Sequence, residues 1–516
     1  MTGAGMLTRF ILRRDRVVLP VCVAIAAGFV LITASSFQDL YPTAADRAQF
    51  AATIEGNGTY TAIYGPARAL DTIGGLTAWR TGSTLAVIIA LMNILLVGRH
   101  TRAEEERGRT ELVRAGAVGA RAPLGAALTV VIGMDVLIAV IVALGLGAMG
   151  LPTAGSIALG ASLAAGGIVF AGVGAVAGQL TEGVRAANGL AGAALGAAFL
   201  LRAAGDSGDG TLSWLSPIGW AHATRPFDDE RWWPLLLCLA ATVALVGAAF
   251  WLLARRDLGA GLLPARPGPA AGDLKSSLGL AVRLQRAGLL AWSAGLFLGG
   301  LVIGSIGTDA GDLVDSSQSL SDVLTRSGGD ITDAFFASVF LLMALIATGF
   351  TISSGLRLRG EESQGHAEML LATPLARVRW AAGHLLVAMV GSAVVLFAMG
   401  LGAGLAFDPS ELPTMIGAAL AQLPAVWVLG GLVAALFGLA PRAQSLAWAA
   451  LTACVLLWFL GPLLDLPQWV MDLSPYEHVP AIPAVGFDAG PVLALTAIAA
   501  ALTAAGLVAF RRRDVT

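Results

Sequence analysis

Long, nearly uncharged apolar runs recur along the whole chain, and they leave few folds open to it. Several reach or exceed the roughly 20 residues that cross a bilayer as an α-helix. Apolar residues fill 56% of the 516 positions and charged residues only 13%, against about a quarter charged in an ordinary soluble domain. The pattern predicts an all-α polytopic membrane protein. Spans are expected near residues 17–35, 80–98, 123–149, 155–179, 187–203 and 234–254, then near 287–306, 333–356, 380–406, 414–439, 445–463 and 489–510. The first run follows Arg13, Arg14 and Arg16. It is longer than a signal-peptide core and has no small-x-small cleavage site, so it reads as a retained span.

Twelve spans put both termini on one side. On that count, segments 1–16, 99–122, 180–186, 255–286, 357–379, 440–444 and 511–516 share a face. They carry most of the basic residues, ending in Arg511, Arg512 and Arg513. An excess of Lys and Arg marks the cytoplasmic side, so both termini are expected in the cytoplasm. The single lysine, Lys275, against many arginines, with abundant Ala and Gly, hints at a bacterial cell membrane. A net charge of −2 gives no reason to expect a nucleic-acid partner. Cys22, Cys238 and Cys454 each lie inside an apolar run, where free cysteine behaves as a small hydrophobe. Their number and spacing imply neither a disulfide framework nor a metal site.

One charged stretch occurs twice. Glu104–Gly116 reads EEERGRTELVRAG, and Glu361–Thr373 reads EESQGHAEMLLAT. The columns Glu104/Glu361, Glu105/Glu362, Gly108/Gly365, Glu111/Glu368 and Ala115/Ala372 are identical, and Leu112/Met369 and Val113/Leu370 are apolar in both. Leu-Ser-Pro recurs after the fifth and eleventh spans, at Leu215-Ser216-Pro217 and Leu473-Ser474-Pro475. There Ser suits an N-cap and Pro the first helical position, so a short outer-face helix is expected at each place. The chain thus reads as two six-helix repeats with pseudo-twofold symmetry about the membrane normal: 1–258, a cytoplasmic linker and lead-in helix over 259–286, and 287–516. The linker contains Pro264, Pro267 and Pro269, and Arg283 and Arg286 resemble Arg13 and Arg16. The outer loop at 36–79 is long. Its counterpart near 307–332 is acidic, with Asp309, Asp312, Asp315, Asp322 and Asp330.

Each copy of the charged stretch is expected to be one short amphipathic helix on the membrane surface. Acidic residues at its start suit the positive end of the helix dipole, and Glu105 can pair with Arg109 one turn on. The apolar residues at its end, on a water-facing element, point to a partner surface. Two copies point to a twofold-symmetric partner.

The stretch resembles the cytoplasmic coupling loops of ABC transporter permeases of the type-2 export class. The similar pattern, Glu-Glu-x-x-Gly-x-x-Glu-Leu followed by Ala-Thr-Pro, is carried by Glu361, Glu362, Gly365, Glu368, Met369, Ala372, Thr373 and Pro374. The first copy departs from it with Gly116-Ala117. The fused twelve-helix layout and the Ala/Gly/Arg-rich composition are similar to actinobacterial exporters of polyketide antibiotics (tetronasin-type). This resemblance implies a non-catalytic permease subunit that exports hydrophobic or amphipathic drugs. Two copies of a separate P-loop ATPase, carrying ATP and Mg, would dock on Glu104, Glu105, Gly108, Arg109, Glu111 and Leu112, and on Glu361, Glu362, Gly365, Glu368, Met369 and Leu370. The chain itself has no Walker A loop: Lys275 lacks the required glycines.

The resemblance also implies that the second and fifth helices of each half line the substrate pathway. Met92, Asn93, Phe199, Phe340, Met343, Trp448 and Phe459 are the candidates, set against ordinary helix packing. Asp135 is the one acidic residue placed deep in a span. Intramembrane carboxylates are costly and often functional; its readings are a contact for cationic substrates, a proton site, or a hydrogen-bonded packing residue. The alternative function is a proton-driven secondary transporter of the twelve-helix major-facilitator kind, whose loops carry a different, glycine- and arginine-rich pattern.

Overall fold

A computed structural model describes residues 2–54, 58–263, 276–307, 331–460 and 466–514. Every regular element among them is helical. The chain divides into two compact units, Met1–Gly268 and Pro269–Thr516.

Unit 1 begins with a surface helix α1 (Ala4–Arg14) and the first long helix α2 (Val18–Leu40). Then come α3 (Ile73–His100), a short α4 (Arg109–Arg114), α5 (Ala122–Ala148), α6 (Thr153–Leu180), α7 (Val184–Asp206), a short α8 (Pro217–His222) and α9 (Pro234–Leu253). Unit 2 contains α10 (Ser277–Gly307), α11 (Ile331–Ser363), a short α12 (His366–Leu371) and α13 (Arg377–Phe407). It continues with α14 (Leu423–Leu439), α15 (Leu446–Leu460) and α16 (Ala489–Arg512).

Local chemistry sets the helix starts. The Thr72 side chain accepts from the Gly75 N–H at 3.0 Å and opens α3. Asp488 does the same for Gly490 at 2.9 Å and opens α16. Pro123 and Pro234 sit in the first turns of α5 and α9, where a missing N–H costs nothing. Length then carries polar residues clear of the hydrocarbon. The 33 residues of α11 span about 50 Å against a hydrocarbon core of about 30 Å.

Each unit has its own core. In unit 1, Val30, Leu85, Ile89, Val131 and Ile138 are buried between α2, α3 and α5. In unit 2, Phe336, Phe340, Val395, Met399 and Val426 play that part. Lipid offers helices no hydrophobic incentive to associate, so close backbone approach through small residues does much of the holding. On α14 and α16, a Cβ added to Gly438 would sit 2.1 Å from the Gly506 carbonyl oxygen. By contrast, α9 turns Leu236, Leu239, Val243 and Trp251 outward, as a lipid-facing helix should.

Several expectations need correction. Among the described residues, eleven helices are long and apolar enough to cross a membrane, and a shorter apolar helix stands where the remaining one of the twelve was expected. The helix expected at 445–463 is α15, whose 15 residues reach only about 22 Å; residues 461–465 lie outside those described. The tenth expected span is present over Pro409–Leu439, with a turn at Gln422 between Leu412–Ala421 and α14, where Pro424 follows. The lead-in helix is not separate: Arg283 and Arg286 lie on α10, continuous with the span. The long outer loop contains helices Ala44–Ile54 and Gly58–Tyr64. Of the Ser-Pro segments, Ser216 caps as expected, accepting from the Ile218 N–H at 3.2 Å. Ser474 makes no such cap, and Pro475–His478 is a single 3-10 turn. Pro264, Pro267, Pro269, Lys275 and the aspartates Asp309 to Asp330 lie outside the described residues, as does the Phe459 side chain.

The glycine seam gives a direct test. Gly438→Leu should lower the stability of the purified protein by about 1–3 kcal/mol through overpacking, read as an earlier thermal unfolding transition. Gly417→Leu, with open space where its Cβ would stand, should leave that transition in place.

Candidate functional site

Both acidic stretches are built around a glycine that stops a helix. Gly108 has φ 69° and Gly365 has φ 76°, left-handed values that favour glycine. Each therefore ends one helical piece and starts another at a new angle. In unit 1 the first piece is Arg102–Glu106, following α3, and the second is α4. In unit 2 the first piece is the end of α11 and the second is α12.

The break overturns two expectations. Each stretch is two pieces, not one amphipathic helix. Glu105 and Arg109 therefore do not share a helix and do not pair; Arg109 reaches Glu104 instead, at 3.5 Å. In unit 2, Glu361 and Glu362 occupy the last turn of α11, the end where the helix dipole disfavours anions. The acidic residues in the first turns of α4 and α12 are Glu111 and Glu368.

The second glutamate of each stretch is clamped by arginines. The Glu105 carboxylate takes two bonds from Arg256, at 2.6 and 2.8 Å, and one from Arg102 at 2.6 Å. Side-chain exposure is 8% for Glu105 and 3% for Arg256. The Arg102 Nε donates to the Glu182 carbonyl, and the Arg256 Nε to Gln179 Oε1. The clamp thus ties the end of α3 to the end of α6 and to the segment after α9. In unit 2, Arg513 meets both oxygens of Glu362 at 2.9 and 3.0 Å, and Arg359 adds a contact at 3.2 Å. Arg102/Arg359, Glu105/Glu362 and Arg256/Arg513 are all separated by the same number of positions. The arginines were missed from sequence, although that shared interval was the signal that could have found them.

Glu104 and Glu361 are more superficial. Glu104 meets Arg14 of α1 at 2.9 Å, and Glu361 meets His366 at 3.1 Å and Arg357 at 3.5 Å. Asp15, after α1, is fully buried and pairs with His100 at 2.7 Å and Arg99 at 2.8 Å. The Gly119 N–H donates to the Thr2 carbonyl oxygen at 3.0 Å. These links hold α1 against the acidic stretch of unit 1.

Anchored this way, α4 and α12 show the same outer face. Thr110 and Ala367 are buried, while Glu111 with Leu112, and Glu368 with Met369, stand exposed. Leu112 is 77% and Met369 67% exposed. Leu370 is half-buried and packs toward Trp380, Phe437 and Phe510.

The pathway candidates differ in burial within each unit. Asn93 and Asp135 are fully buried and face each other, the Asn93 Nδ2 donating to Asp135 Oδ2 at 2.7 Å. Gly167 permits the approach: a Cβ there would lie 2.9 Å from Asn93 Nδ2. Asp135 Oδ1 and Asn93 Oδ1 have no protein hydrogen-bond partner. Phe340 is also fully buried, in the core of unit 2. Met92, Phe199 and Met343 are half-buried, and Trp448 is 41% exposed. The Arg202 guanidinium lies over the Phe199 ring at 4.7 Å.

The clamp predicts a specific instability. Arg256→Ala takes both of its bonds from the buried Glu105 carboxylate and leaves it to Arg102 alone, a loss bounded by the about 3–5 kcal/mol of a fully stranded charge. It should expose residues 102–116 to protease. Glu105→Gln combined with Arg102→Met and Arg256→Met removes all three charges of the clamp and should restore much of the resistance. Equal cleavage of the single and triple variants would rule out the clamp as the anchor.

The family model described as "Multidrug efflux system permease Rv1217c, C-terminal domain" matches residues 11–253 and 274–511. The Multidrug efflux system permease protein Rv1217c of Mycobacterium tuberculosis (strain ATCC 25618 / H37Rv) is 44% identical over 525 aligned positions, covering 100% of this chain and 95% of that protein. Full-length similarity at this level, on a multi-pass helical framework, leads to one conclusion: the chain belongs to the Rv1217c family of multidrug efflux system permeases.

Proposed function

We propose that this chain is the membrane-spanning permease subunit of an ATP-driven exporter of the ABC type. It moves hydrophobic or amphipathic drugs or antibiotics, polyketides among them, out of the cell. Two copies of a separate P-loop ATPase dock on it from the cytoplasm and hold the ATP and Mg. The chain performs no chemistry of its own; its two six-helix halves are moved by the partner.

One observation carries this reading. Two short helices, α4 and α12, each present an exposed acidic–apolar pair, Glu111-Leu112 and Glu368-Met369. Each is backed by a buried arginine–glutamate clamp. An exposed leucine or methionine on a polar surface favours a partner that covers it. The rigid clamp behind it would pass a push on the short helix to the ends of the long helices. The multidrug efflux permease of M. tuberculosis supports the cargo class.

The proton-driven alternative rests on Asp135. Its burial against Asn93 supports a packing role better than a proton path, so the ATP-driven reading is preferred.

Leu112→Asp combined with Met369→Asp should weaken capture of the neighbouring P-loop ATPase by tenfold or more, roughly 1.4 kcal/mol. Drug-stimulated ATP hydrolysis in proteoliposomes should fall with it, while the thermal unfolding of the chain stays the same. Transport that survives ATP depletion and stops when the proton gradient is collapsed would sink the ATP-driven reading and favour the alternative.

A further inference from the structure

A groove of about 870 Å³ opens along unit 1 between α2 and α5, with its polar end at the junction of α1 and α2. Its walls are apolar: Leu19, Val23 and Leu31 from α2, and Met134, Leu137 and Ile141 from α5. Two glycines keep it open. A Cβ built on Gly28 or Gly133 meets nothing within 4 Å. From Leu19 to Leu31 the groove follows α2 for about 18 Å at the helical rise. Half of a hydrocarbon core is about 15 Å, so the groove is about one leaflet deep.

Its charged groups, Asp15 and Arg16, lie at one end beside Thr8; the other polar residue of the lining, Thr129 on α5, donates its hydroxyl to the Gly125 carbonyl oxygen. Asp15 is already engaged with Arg99 and His100. Arg16 is exposed and makes no hydrogen bond or ion pair among the described residues. The adjoining helix α1 exposes Met6 and Phe10 beside Arg9 and Arg13, a pattern suited to lying in a headgroup layer. The site is an apolar slot of leaflet depth with an uncompensated cation at its mouth.

Unit 2 shows that such a slot is not a necessary gap between helices. There α10 and α13 close on one another through glycines. A Cβ on Gly300, Gly304 or Gly402 would lie 2.1–2.2 Å from a carbonyl oxygen of the facing helix. Deeper in, Leu289 and Trp292 pack against the core, the Trp292 ring 6.3 Å from Phe350.

We propose that the groove of unit 1 is a binding site for an anionic phospholipid, with an acyl chain in the slot and the phosphate on Arg16. A zwitterionic lipid or a hydrophobic drug would share the slot's apolar chemistry. A zwitterionic headgroup also offers a phosphate but offsets it with its own ammonium, whereas a net anionic headgroup leaves its charge to an arginine that has no free carboxylate beside it.

The test uses the full chain in nanodiscs of phosphatidylglycerol or phosphatidylcholine, each doped with the same lipid bearing a photoactivatable acyl chain. Crosslinked residues are mapped by mass spectrometry. Labelling of α2 and α5 along the groove should be several-fold stronger in phosphatidylglycerol. Arg16→Gln should erase that preference and Arg16→Lys should retain it. Gly133→Leu should fill the slot and remove the label in both lipids without lowering the thermal transition. Equal labelling in the two lipids overturns the proposal. So does a label displaced by a hydrophobic drug but not by unlabelled phosphatidylglycerol. No transport or ATPase is measured, so this result stands or falls apart from the export reading.

Discussion

A carboxylate with little exposure to water must be met by positive charge, and in each unit that requirement organises the region where the chain leaves the membrane. Glu105 and Glu362 sit where a long helix ends and the chain turns along the surface. Removing a charge's hydration costs several kcal/mol even after relaxation. A closely paired guanidinium recovers much of it. The arginines that do so come from after the last helix of each unit, so a requirement local to one loop fastens two distant parts of the chain. Such a pair need not add net stability; its strength is that any other arrangement is costly. The left-handed glycine three positions after each glutamate then fixes the direction in which α4 and α12 depart.

The remaining framework follows from packing without a hydrophobic drive. Where Gly438 meets Gly506, or Gly300 meets Met399, backbones approach to distances that any side chain would forbid. Dispersion and backbone dipoles then replace the water-driven collapse of a soluble core. The buried Asn93–Asp135 pair belongs to this framework too. It is a polar link between α3 and α5, admitted by the missing side chain of Gly167.

The long spans were legible in sequence because hydropathy is a property of a run, and a run of Leu, Val, Ala and Gly needs no partner to declare itself. Their ends were less so. Helices such as α3 and α11 continue past the hydrocarbon into polar sequence, where hydropathy falls but hydrogen bonding does not. The paired stretches were visible as identical Glu and Gly columns. Their internal geometry was not. Reading Glu105 and Arg109 as one turn apart assumed a continuous helix, and Gly108 ends it. The clamp was invisible for another reason: Glu105 and Arg256 lie far apart in sequence, and periodicity reports only on neighbours. Asp135 stood out by its charge, whereas its buried setting depends on Asn93 and Gly167, which carry none.

The two units solve the same problem with unequal parts. In unit 1 the acidic stretch is also held from the N-terminal side, through Arg14 on Glu104 and the bond between Gly119 and Thr2. In unit 2 the corresponding Glu361 turns to Arg357 and to His366 at the start of α12. After α12, Thr373 folds its hydroxyl back onto the Leu370 carbonyl and Pro374 follows; after α4 the chain runs through Gly116-Ala117, without that restraint. Under the proposed function, identical ATPases would therefore meet two grips of different stiffness and different surrounding charge. Arg109 and Arg114 flank Leu112, whereas only His366 carries a basic group near Met369 on α12. A motor with equal strokes acting on unequal grips would not drive the two halves equally. A permease fused into one chain can preserve such an inequality, whereas a homodimer cannot encode one.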